Sequence, residues 1–87
     1  MIGKNIKLIR AVRDMSGLEL ANRVGVSGNY MYLIEGGKKT PSTKRLKKIA
    51  EVLRVPVSVL MWEPTDPREA DGELIAILYK IMEEVAK

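Results

Sequence analysis

Chemistry in this 87-residue chain has to come from a narrow set of side chains. There is no histidine, so the commonest general base and metal ligand is missing. There is no cysteine, hence no disulfide framework and no thiolate metal site. The body of the chain has neither a glycine-rich phosphate loop nor clustered carboxylates. These absences argue against an enzyme and imply no metal and no small-molecule cofactor. What is left is binding chemistry, concentrated in VSGNYMYLIEGGKK, Val26 to Lys39. Asn29 and Tyr32 can hydrogen-bond a ligand there, and Lys38 and Lys39 can neutralise an anion.

Charge is unevenly placed along the chain. Residues 1–63 carry 12 Lys/Arg against 5 Asp/Glu, whereas residues 64–87 carry 3 against 6. A body of +7 suits an anionic partner, and a tail of −3 has a different task. No apolar run approaches the roughly 18 residues of a membrane span. MIGKNIKLIR has no signal-peptide core. The expectation is a mature cytoplasmic chain with no membrane partner.

The elements that must hold these side chains read as helices. Ile2, Ile6, Ile9, Val12 and Met15 recur at steps of three and four, which predicts a first helix over Ile2–Met15. Ser16-Gly17-Leu18-Glu19 fits a capping box for a second, with Leu20, Ala21 and Val24 inward and Gly25 as its stop. Ser27 caps a third helix that Gly36 ends. Pro41-Ser42 opens a fourth, with the stripe Leu46, Ile49, Ala50 and Leu53. Pro56 fits the first position of a short fifth helix. The fold class is therefore all-α: five helices over residues 1–63, a linker at 64–72 and a C-terminal amphipathic helix at 73–87. Within the linker, Asp66-Pro67 with Glu69, or Asp71 further on, supplies the start of that last helix.

A short helix, a tight turn at Gly25 and a second short helix follow one another between Ser16 and Glu35. That is the layout of a helix-turn-helix. The string LELANRVGVSGNYMYLIEGGKKTPSTKRLKKIAEVLRVPVSVL resembles the Xre-type family of lambda-repressor and Cro-like DNA-binding domains. Leu20-Ala21, Gly25-Val26-Ser27, Ile34-Glu35-Gly36-Gly37, Pro41-Ser42 and Ile49-Ala50 stand in the family's order and spacing. The resemblance covers Ile2 to about Glu63.

It implies that Arg10 pairs with Glu35 to anchor the recognition helix. Gly28, Asn29, Tyr32 and Leu33 would then face the base edges of double-stranded DNA. Asn29 can bond adenine bidentately, Tyr32 can donate to a base or phosphate, and Leu33 offers an apolar contact. Gly28 offers no side chain, and Gly17 stands where the family often has a phosphate-clamping glutamine. Phosphate contacts fall to Ser16 and Gly17 at a helix N-terminus, to the loop residues Lys38, Lys39 and Thr40, and to Lys44. Arg45, Lys47 and Lys48 either add to them or form a solvated face.

The tail helix is too apolar to stand in water. Trp62, Leu74, Ile77, Leu78, Ile81, Met82 and Val85 are expected to form a homodimer surface, the alternative being a helix that folds back on its own domain. Taken together, the resemblance implies a dimeric transcriptional regulator acting as a repressor, prokaryotic, archaeal or phage-encoded. The alternative function is a protein-interaction module, an antitoxin or adaptor, that keeps the fold with weak DNA binding.

Overall fold

The spacing of Ile6 and Ile9 along α1 (Ile2–Val12) puts both on one face, and both are fully buried. The computed structural model describes residues 1–64, 68 and 70–86, with the side chains of all of these except 70 and 84–86. The further elements are α2 (Gly17–Val24), α3 (Gly28–Glu35), α4 (Thr43–Leu53), α5 (Val57–Leu60) and α6 (Ala70–Ala86). The described residues contain no strand. No helix among them is long and apolar enough to cross a membrane.

Serine starts three of the helices in the same way. The hydroxyl oxygens of Ser16, Ser27 and Ser42 accept from the backbone N–H groups of Glu19, Tyr30 and Arg45 at 3.0, 3.0 and 3.2 Å. Each satisfies one N–H that the helix leaves unpaired. The predicted capping box is only half formed, because the Glu19 carboxylate turns to Arg23 one helical turn on, at 3.0 Å. Gly25 ends α2 in the left-handed region at φ 89°, as its position predicts.

Several boundaries depart from the sequence reading. α1 stops at Val12, not Met15. Asp14 turns the chain at φ 57°, and Met15 is buried from the following turn. Pro56 is the cap of α5, with extended backbone, rather than its first helical residue. α6 begins at Ala70, so Asp71 and Gly72 are helical and not linker. The expected helix start at Asp66, Pro67 and Glu69 lies outside the described residues.

The core runs through all six helices. Leu20, Met31, Ile34, Ile49, Leu53 and Leu60 are buried with Ile6 and Ile9, and α6 adds Leu74 and Leu78. This corrects the assignment of Leu74 and Leu78 to a homodimer surface. α6 folds back against α1, and Leu74 and Leu78 are buried within the chain. Trp62, Ile77 and Ile81 are half-buried against the same core, Met82 is half-exposed, and Val85 lies outside the described side chains.

One buried polar side chain joins the ends of the bundle. The Asn5 amide nitrogen donates to the carbonyls of Leu60 at 3.0 Å and Trp62 at 2.7 Å, closing the C-terminal end of α5. Asn5→Leu would remove this donor from both carbonyls, leaving that of Trp62 only the Met1 ammonium at 3.4 Å. We expect a loss of about 1–3 kcal/mol in denaturant melts, against about 2–5 kcal/mol for Leu78→Ala, which opens a cavity under α6. A change within error for Leu78→Ala would show that α6 does not contribute to the core.

Candidate nucleic-acid interface

α3 is eight residues long, too short to hold its own position, and its C-terminal end is fixed from α1. Arg10 Nε and a terminal guanidinium nitrogen donate to the two Glu35 carboxylate oxygens at 2.7 and 2.9 Å. A third donor of Arg10 reaches the Met15 carbonyl at 3.2 Å, tying the turn after α1 into the same pair. The hydrogen bond to Glu35 raises the Arg10 pKa against the opposing effect of burial, so the guanidinium stays charged at any working pH. Gly3 makes a second fixing point. A Cβ there would overlap the Ile34 carbonyl oxygen and lie 2.8 Å from that of Glu35, so α1 crosses the end of α3 main chain to main chain. No periodicity in the sequence singles out Gly3.

The helix ends in a Schellman motif. Lys38 N–H donates to the Leu33 carbonyl at 2.9 Å and Gly37 N–H to that of Ile34 at 3.1 Å. Gly37 is the left-handed residue at φ 75°, while Gly36 keeps an ordinary backbone as the cap. The motif delivers Lys38 and Lys39 directly beside α3.

With Met31 and Ile34 inward, the outer face carries Asn29 and Tyr32, both exposed. Leu33 is half-buried, so it presents only part of its side chain. Gly17 and Gly28 meet in one place. They line a cleft of about 240 Å³ with Leu18 and Tyr32 at its sides and Arg10, Met31 and Glu35 beneath. A Cβ on Gly17 would lie 3.6–3.7 Å from the Arg10 guanidinium, an ordinary contact.

The basic side chains beside α3 form a partly ordered group. Lys38, Lys39, Thr40 and Lys44 are all exposed, as is Ser16 at the start of α2. Lys39 Nζ and the Arg45 guanidinium both sit over the Tyr30 ring, at 5.2 and 4.7 Å from its centroid. This arrangement is absent from the sequence reading, which gave Tyr30 no role. The only signal in the sequence is an aromatic in α3 that precedes the basic segments at Lys38-Lys39 and Lys44–Lys48. Lys44, Arg45, Lys47 and Lys48 continue as the wall of an open groove of about 910 Å³ along α4, with Val24 and Glu51. Lys48 is 3.8 Å from Glu51, which sets it apart from the loop lysines. Arg13 has a structural task instead. It donates to the Leu53 and Arg54 carbonyls at the end of α4, and burial lowers its pKa, aided by the nearby Arg54 charge.

Two short helices joined through left-handed Gly25, the second pinned at its base and open on its outer face, define a helix-turn-helix domain of the nucleic-acid-binding class. The chain belongs to the helix-turn-helix family, whose model matches residues 6–60. It is 41% identical over 75 residues to the HTH-type transcriptional regulator SinR of Bacillus licheniformis, covering 85% of this chain and 67% of that protein. It is 31% identical over 90 residues to the immunity repressor protein of Bacillus phage phi105, covering 99% of this chain and 62% of that one. The crystal structure of SinR, the master regulator for biofilm formation, in complex with DNA superposes with a TM-score of 0.67 at 40% identity. That match covers 71% of this chain and all of the other. The chain thus spans about two thirds of the length of these two relatives.

Replacing one partner of the Arg10–Glu35 pair leaves the other charge half-buried and alone. Glu35→Gln is expected to cost about 2–4 kcal/mol in thermal or denaturant unfolding. Arg10→Met with Glu35→Leu together should cost less than either single change. A double variant as unstable as the sum of the singles would show that the pair is not coupled.

Proposed function

We propose that this chain is a double-stranded-DNA-binding transcriptional repressor that lays α3 in the major groove. The single observation that carries the reading is the pinned recognition helix with Asn29 and Tyr32 exposed on its outer face. Family membership and the DNA-bound relative support it. Asn29 reads a base edge, Tyr32 a base or phosphate, and Leu33 adds a partial apolar contact, with Gly28 allowing close backbone approach. Ser16, Gly17, Lys38, Lys39, Thr40 and Lys44 meet the phosphates, and Arg45 joins them through its position beside Lys39 over Tyr30. Binding releases counterions, so affinity falls steeply with salt. Repression follows from occlusion, with no step catalysed and no cofactor.

A duplex selected from a random pool should lose affinity by at least tenfold between about 50 and 200 mM salt. On that duplex, Asn29→Ala should relax preference at one base position, with a loss of about 1–3 kcal/mol confined to the correct base. Lys39→Ala should weaken all sequences alike and flatten the salt slope by about one. Equal loss on every sequence for Asn29→Ala would remove it from base readout, and no binding at low salt would end the DNA reading.

Repressors of this architecture commonly read two half-sites as symmetric dimers. In this chain the pairing surface is what α6 and its approach leave exposed, namely Met61, Tyr79 and the half-exposed Met82, not Leu74 or Leu78. Sedimentation should give a dimer for the native chain and a monomer for Tyr79→Asp. A native chain that sediments as a monomer at all concentrations would remove dimerisation from the proposal.

A further inference from the structure

Leu18 is an apolar side chain left 62% exposed at the first turn of α2. Its Cδ1 lies 3.2 Å from the point where a Cβ on Gly28 would stand. Leu18 therefore occupies the space that a side chain at the first position of α3 would fill. Gly28 and Leu18 read together as one surface: a side chain is missing from the recognition helix and is replaced by one arriving from its neighbour. Tyr32 lines the same cleft, itself 75% exposed.

We propose that Leu18 is a specificity-determining residue whose methyl groups contact the 5-methyl group of a thymine in the major groove. The inference rests on the DNA reading of this face. Thymine is the one base whose major-groove edge carries a methyl group, so an apolar tip discriminates for it. The occupant is argued from charge. Exposed Lys38, Lys39 and Lys44 belong to the same helix-turn-helix and following segment, which suits an anionic duplex better than an apolar peptide. Leu18 differs from Leu33 in being carried on α2, so its position on the duplex is separate from that of α3's own apolar contact.

The test uses a duplex selected by the full chain, with each thymine replaced singly by uracil, which keeps base pairing and removes only the methyl group. At one position per half-site, uracil should weaken binding of the native protein about three- to fivefold. Leu18→Ala should abolish that difference while leaving the pattern at other positions unchanged, and Leu18→Met should retain it. Gly28→Ala places a methyl against Leu18 Cδ1, a contact tight enough to push the side chain aside, and should reduce sensitivity at the same position. Leu18 is exposed, so Leu18→Ala and Leu18→Met should melt within a few degrees of the native protein. Uniform weakening by Leu18→Ala, with no thymine-to-uracil difference lost, would overturn the inference and leave the DNA reading standing. Failure of the native chain to bind any duplex at low salt would overturn both, and is seen before any uracil is introduced.

Discussion

The orientation of α3 depends on one bidentate ion pair between Arg10 and Glu35. An eight-residue helix has little stability of its own, and it cannot hold an angle by packing one narrow stripe. Two parallel hydrogen bonds to a planar guanidinium fix direction as well as distance. The close main-chain crossing at Gly3 then leaves the helix end no room to rise. Because Arg10 and Gly3 both lie on α1, that helix sets the angle at which the outer face of α3 is offered. α1 is held in turn by Asn5 to the end of α5 and by the apolar stripe of α6.

A second constraint is how the cations are held beside that face. A lysine in a loop is usually a mobile charge, and much of its rotamer freedom is lost on meeting a phosphate. Here the Tyr30 ring holds both Lys39 and Arg45 against it. The Schellman closure at Gly37 does the same for the backbone that carries Lys38 and Lys39. Lys48, beside Glu51, belongs instead to the outer wall of α4.

Much of this organisation is legible in the sequence, for identifiable reasons. Periodic apolar residues locate the helices because burial follows the helical repeat, and serine locates three starts because its hydroxyl is short enough to reach the third N–H. The Arg10–Glu35 pair came from family resemblance, since residues so far apart in sequence carry no local signal of contact. The errors lie where a local rule had a competitor. Met15 continues the period of α1, yet the chain turns at Asp14. The carboxylate of Glu19 had two partners in reach and took Arg23. The apolar face of α6 was equally suited to a second chain or to its own core, and only packing against α1 decides for Leu74 and Leu78. The contacts of Gly3, Tyr30 and Leu18 carry no local signal, because each is made with a neighbour distant in sequence.

The main-chain crossing at Gly3 has a consequence for how such a protein can change. The obstructing atoms there are carbonyl oxygens, which no rotamer change can move aside, so that position is frozen whatever sequence the domain reads. Leu18, Asn29 and Tyr32 are all exposed, and substitutions at such sites usually alter stability by less than about 0.5 kcal/mol. In the proposed reading, the frame and the lettering are thereby written in different residues. A lineage can drift from one binding site to another by exchanging surface side chains, without passing through an unfolded ancestor.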